Sequence, residues 1–191
     1  MLGELVTLPL PGRLLGFSLA LIIALVRNHG SGGSNTTGTS TFSGNITLNT
    51  TAANYTATLQ AAIGGSVDFT GAWTTNNKAI NIGSAGNTGT VKVSSPLSTT
   101  GGLNVNFGTF LLGASDLIDN STPVTVAGGI LDTGTFTNTV AAFNISSGSL
   151  NGSGTVTAAT YALTGGTVNA NLGAGSLTAN SGSSTLNGTS A

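Results

Sequence analysis

Beyond its first thirty residues the chain holds six charged side chains: Asp68, Asp116, Asp119, Asp132, Lys78 and Lys92. Carboxylates are the groups that could do hydrolytic chemistry, because glycoside hydrolysis uses two of them held a fixed distance apart. Asp116 and Asp119, in "GASDLIDNS", are the closest pair, with Leu117-Ile118 between them. Asp is also a common turn residue through hydrogen bonding by its own side chain, so a turn leaving a strand is the plainer reading. Lyase-type base chemistry has no obvious residue, since no Arg and no His follow His29. His29 stands alone, and a lone imidazole makes neither a metal site nor an acid–base pair. The calcium-binding nonapeptide "GGxGxDxUx" has no copy here. Catalytic, cofactor-binding and metal residues are therefore expected to be none. Sequons such as "NIT" at Asn45 and "NST" at Asn120 are expected by chance in so Asn- and Thr-rich a chain.

Two further groups have chemistry to offer. "TGTFTNT" places Thr133, Thr135, Thr137 and Thr139 at alternate positions, on one face if the segment is a single strand. Flat Thr arrays of this kind resemble ice-binding surfaces. Such a surface needs matching Thr in neighbouring coils, yet "ASDLIDN" and "GSGTVTA" do not sustain the row. In "VDFTGAW", Phe69 and Trp73 could form a sugar-stacking platform, but alternation puts Val67, Phe69, Gly71 and Trp73 on one face, which reads more simply as core.

The elements that would carry these residues follow from composition. Of 191 residues, 32 are Thr, 30 Gly, 21 Ser and 19 Asn, and the formal net charge is −1. Only 5% are charged, against about 25% in an ordinary globular domain. With 39% hydrophobic residues, the low-hydrophobicity, high-charge route to disorder does not apply. Only Lys78 and Lys92 follow Arg27, so the basic clusters that neutralise phosphates are missing, and no nucleic-acid partner is expected. There is no Cys, which excludes disulfides and thiolate metal sites. Gly, Asn, Thr and Ser are poor residues for helix interiors, so residues 34–191 are expected to be strand and turn.

A small motif recurs through that region. Gly166-Thr167-Val168, Gly175-Ser176-Leu177 and Ser184-Thr185-Leu186 start nine residues apart. Widened to Gly or Ser, any residue, then an aliphatic or Phe, it also appears at Gly65, Gly89, Gly101, Gly108, Gly129, Gly134, Gly148 and Gly154. Around these glycines apolar residues alternate, as in Leu103-Val105-Phe107, Val124-Val126, Phe143-Ile145 and Tyr161-Leu163. Period two is the strand signature. Short strands with Gly, Asn and Ser turns every 18–20 residues or so suit a parallel β-helix, in which stacked coils bury a face that no single coil can bury alone. The nine-residue beat is then half a coil. About eight coils of about 19 residues are expected from Thr36 onward, giving a rod about 35–40 Å long. An antiparallel sandwich or barrel is the other architecture with many short strands and regular turns.

The first 33 residues differ. "LLGFSLALIIALV", Leu14 to Val26, is an apolar run between Arg13 and Arg27. It is shorter than the about 20 residues a membrane-spanning helix needs but suits a signal-peptide core. Residues 1–33 are read as a short apolar helix that is a cleaved export signal, an anchor, or the product of a misplaced start. A Gly/Ser/Thr linker, "NHGSGGSNTTGTSTFSG", follows.

"TVAGGILDTGTFTNTV" (Thr125 to Val140) and "GSLNGSGTVTAATYALTGGTV" (from Gly148), in their low-charge Gly/Thr/Asn setting, resemble the autotransporter-associated β-strand repeats of bacterial autotransporter passengers. The resemblance covers about residues 60–191. It implies a right-handed parallel β-helix, exported and displayed at the bacterial surface or released from it. It also implies a stalk or adhesin whose partners are surface glycans or a neighbouring cell. Autotransporters end in a membrane β-barrel of alternating strands, whereas this sequence ends "STLNGTSA". It is therefore expected to be a section of a larger protein, with the translocator elsewhere and β-helix ends open to self-association. The alternatives are a carbohydrate-active β-helix enzyme and an ice-binding β-solenoid.

Overall fold

A computed structural model describes residues 21–24, 38–48 and 56–191. Among them the chain forms strands and turns with no helix. The early strands are β1 (Leu21–Ala24), β2 (Gly38–Phe42), β3 (Ile46–Thr47), β4 (Thr56–Gln60), β5 (Gly65–Phe69), β6 (Trp73–Thr74), β7 (Ala79–Ile82) and β8 (Thr90–Val93). Next come β9 (Leu103–Val105), β10 (Thr109–Leu112), β11 (Pro123–Asp132), β12 (Thr137–Asn151) and β13 (Thr155–Leu163). The last are β14 (Gly166–Val168), β15 (Asn171–Leu172), β16 (Ser176–Thr178) and β17 (Ser184–Leu186).

Every strand-to-strand pairing is parallel, and following the pairs from rung to rung traces three faces of a β-solenoid of about 7 turns. Face A stacks β1, β4, β7, β9, the first part of β11, the middle of β12, the end of β13, and β16. Face B stacks β2, β5, β8, β10, the end of β11, the end of β12, β14 and β17. Face C is less continuous. It holds the β3–β6 pair, the bridge between Leu97 and Ile118, the starts of β12 and β13, and β15. Each coil runs from B to C to A.

The interior is a set of apolar columns. Ile80, Leu103, Val124, Phe143 and Tyr161 follow one another in register on face A. Val67, Val91, Phe110, Leu131, Leu150 and Val168 do so on face B. All are buried, and full burial of such a side chain is worth about 1.5–3 kcal/mol. Tyr161 sends its hydroxyl across the interior to the turn of the chain between faces C and A. There it accepts from the Ala158 N–H at 2.9 Å and shares its proton between the carbonyls of Val156 (3.0 Å) and Gly173 (2.9 Å). Burial pushes this phenol above its ordinary value, against the two backbone hydrogen bonds.

The nine-residue beat is half a coil. β14, β16 and β17 fall on faces B, A and B in turn, and β14 pairs with β17 one coil later. Coil length, however, is not constant. Partners are 27 residues apart between Asn45 and Ala72 and 24 apart between Asp68 and Lys92, falling to 18 between Asn169 and Asn187. Longer early coils give about 7 turns in place of the eight expected.

Two expectations are corrected. The four described residues of the apolar N-terminal run, Leu21–Ala24, form a strand paired with β4 and not part of a helix. The edge of β4 offers unpaired backbone groups, and Leu-Ile-Ile-Ala is as suited to a strand as to a helix. The rest of the run, Arg13, Arg27, His29 and most of the linker lie outside the described residues. The Thr row is broken as well. Thr133 is buried in a turn at Gly134 with its hydroxyl on the Asn151 carbonyl, and β12 begins only at Thr137.

Candidate functional site

Register decides which of the charged residues meet. Asp68 and Lys92 are partners on β5 and β8, both pointing outward from face B between buried neighbours. Lys92 Nζ lies 2.7 Å from Asp68 Oδ2, and Ser94 Oγ donates to Asp68 Oδ1 at 2.9 Å. The next rungs of that column are Leu111 and then Asp132. Asp68 and Asp132 are thus three rungs apart, about 14 Å along the sheet, whereas paired glycosidase carboxylates stand about 5–9.5 Å apart. The Asp132 carboxylate instead accepts the Gly134 N–H at 2.8 Å and shapes its own turn.

Asp116 and Asp119 also serve turns. Asp116 has φ 54, in the left-handed region that Asp tolerates better than most residues. Asp119 Oδ1 accepts both the N–H and the hydroxyl of Ser121. Those two bonds, the hydroxyl's first, hold its carboxyl below the ordinary value. Lys78 closes a corner through its backbone, donating its N–H to Thr75 and accepting the Thr99 hydroxyl at its carbonyl. Phe69 is buried and Trp73 packs edge-on against it, ring centroids 5.4 Å apart, as part of the core. Among the described residues no group of three or more His, Asp or Glu is placed to hold a metal ion.

What the structure does bring together is a set of uncharged polar side chains on faces B and C of the last coils. Ser149, Thr167 and Thr185 form one column by register. Asn151, Asn169 and Asn187 form the next. Asn169 Nδ2 donates to Asn151 Oδ1, and Asn187 Nδ2 to Asn169 Oδ1, each at 2.8 Å and 18 residues apart. A third column runs from Thr155 to Asn171 by register and on to Thr189, whose N–H and hydroxyl both donate to Asn171 Oδ1. Asn171 Nδ2 donates back to the Ser153 carbonyl at 3.2 Å.

Local sequence explains the arrangement. In Thr167-Val168-Asn169-Ala170-Asn171-Leu172, Val168, Ala170 and Leu172 are buried and the other three reach solvent. The out–in alternation of a strand thus continues through the corner between the two faces. Thr137 and Thr139, paired with Thr155 and Thr157, extend face C by a rung. This array went unread in the sequence, although its signal is there: "SLN", "TVN" and "TLN" recur at 18-residue intervals, and the Asn in each is as regular as the aliphatic before it.

The fold defines the class as a parallel β-solenoid. No family model matches the chain, and no curated protein or solved structure matches it.

Proposed function

We propose that this chain is a non-enzymatic segment of an exported bacterial surface protein, a stalk with an adhesive outer face, similar to autotransporter passenger regions. The observation that carries the reading is the pairing of a continuous apolar interior with outer columns of Thr, Ser and Asn bonded from coil to coil. Such a rod is stiffened along its axis and presents many weak hydrogen-bonding groups in fixed positions, which suits adhesion by multiplicity. The resemblance of Thr125 to Val140 and of the segment from Gly148 to autotransporter-associated repeats adds right-handed winding, export and surface location. Its partner in this reading is an uncharged, hydroxyl-rich surface.

The test is display of the full chain on bacteria through a fused outer-membrane β-barrel. Display is verified by protease shaving, and retention on neutral-glycan, ice and plastic surfaces is compared with cells carrying the barrel alone. Retention above that control on any of them supports the adhesive reading. A fully displayed chain that adds no retention anywhere removes it.

A further inference from the structure

The columns Ser149–Thr167–Thr185 and Asn151–Asn169–Asn187 on face B are regular in two directions, and Thr155–Asn171–Thr189 follows them around the corner on face C. Along the rod the rungs repeat at about 4.8 Å, and along each strand the outward residues repeat at about 6.6 Å. None of the nine side chains is buried, and no charged residue occurs after Asp132. The middle column is already ordered by its inter-coil hydrogen bonds, so part of the entropy cost of fixing these groups in a complex is met beforehand.

These properties narrow the occupant. The array on face B covers on the order of 200 Å², well short of the about 800 Å² that each partner contributes to a stable protein complex. It contains no aromatic ring, so the stacking surface by which an aromatic side chain grips a sugar ring is missing from it. A single polymer strand repeats in one direction only, while this surface repeats in two. Charged minerals find no counter-charge. Crystalline cellulose also repeats in two directions, but its exposed sugar rings call for the aromatic partner that the array lacks, whereas ice presents hydrogen-bonding groups alone. We propose that face B of the last three coils binds an ice surface, through hydroxyls and amides that hold a layer of water in lattice-like positions. This rests on the reading of the outer face as adhesive, and names what it adheres to.

The experiment is ice-affinity partitioning of the full 191-residue chain, with the protein remaining in liquid compared with that incorporated in a slowly grown ice shell. Microscopy of ice-crystal shape is read alongside. The chain is expected to concentrate in the ice and to facet the crystals. Thr167→Tyr, which raises a ring above the array, and Asn169→Asp, which places a charge at its centre with almost no change of shape, are both expected to abolish this. Thr125→Tyr, outward on face A in register with Asn104 and Asn144, is expected to keep it. Circular dichroism checks each fold, and Asn169→Asp decides the matter if Thr167→Tyr unfolds.

Exclusion of the unsubstituted chain from ice overturns the proposal, as does incorporation that neither folded array variant reduces. In parallel, the same proteins are mixed with crystalline cellulose. Binding there without binding to ice overturns the ice assignment yet leaves the adhesive reading standing, whereas binding to neither counts against both.

Discussion

The coils before about residue 115 and those after it solve the same packing problem by different means. Most early rungs are separated by 23 to 27 residues, with β8 and β10 at 19, and most late ones by 16 to 19. The additional early residues leave the strands as corner loops, which side chains tie down. Asn45 Oδ1 accepts the Ala72 N–H, Asn76 Nδ2 donates to the Leu48 carbonyl, and the hydroxyls of Thr75 and Thr99 reach the carbonyls of Ser98 and Lys78. The only ion pair among the described residues, Asp68–Lys92, is also there. Late corners are shorter but are tied as well, by the Thr133 hydroxyl on the Asn151 carbonyl, Asn171 on the Ser153 carbonyl and Tyr161 on the Ala158 N–H, and in both regions glycines let neighbouring coils approach closely, as at Gly83 and Gly148. At Gly148 φ is +78 and an added Cβ would stand 2.1 Å from the Gly129 carbonyl oxygen. Stacked rungs therefore tolerate variable coil length, provided that inward positions stay in register, and regularity is needed only where the outer surface is itself to be regular.

Five substitutions would break or sharpen that contrast, all read by chemical denaturation of the full chain. Phe143→Ala has the largest expected effect, about 3–5 kcal/mol. It empties a fully buried site within a late column, edge-on to Tyr161 at 6.5 Å, where short corners leave little room to collapse. A loss below 1 kcal/mol would mean that the late coils repack freely. Gly148→Ala comes next. The left-handed backbone alone costs about 1–3 kcal/mol, and the clash with Gly129 adds to it. Gly86→Ala in the early Ser84–Asn87 turn has φ +82 but nothing within 4 Å of the new Cβ, so only the backbone cost applies. Equal losses at the two sites would mean that the close approach of coils at Gly148 adds nothing to the backbone cost.

Tyr161→Phe is expected to lose about 1–3 kcal/mol, because the Ala158 N–H and the Gly173 carbonyl lose the hydroxyl that pairs them, while the Val156 carbonyl keeps the Gly173 N–H. Its pH dependence adds a signature. The folded phenol titrates above 10.0, so its stabilisation is complete below that value and declines as pH rises through the folded value. Tyr161→Phe should lack this alkaline decline. The smallest effect is at the early outer face. Lys92→Met removes a partly exposed ion pair, worth about 0.2–1 kcal/mol, and the difference from the parent should shrink at high salt.

How far the sequence revealed this follows the same division. The late coils were legible because Gly and alternating aliphatics recur there at a fixed step, so that Gly166, Gly175 and Ser184 marked half-coils directly. The early coils hid their length, since loop residues such as those between Ile82 and Thr90 carry no period, and the number of turns was overcounted. Thr133 and Thr135 were misplaced because alternation in "TGTFTNT" continues through a turn that Gly134 makes by its positive φ. The Asn array was missed for a different reason. Inward residues announce themselves by hydrophobicity, while an outward column is visible only after the register between coils is known.

That column has a direction. Asn187 donates to Asn169 and Asn169 to Asn151, and earlier on the rod Asn104 donates to Asn81 in the same sense. The three late amides consequently form a head-to-tail chain of dipoles lying along the solenoid axis. Each bond polarises the next, so the two ends differ in electrical character: a donor-poor carbonyl at Asn187 and a hydrogen-rich amide at Asn151. A neutral rod built this way is polar along its length without carrying a single ionised group in its last coils.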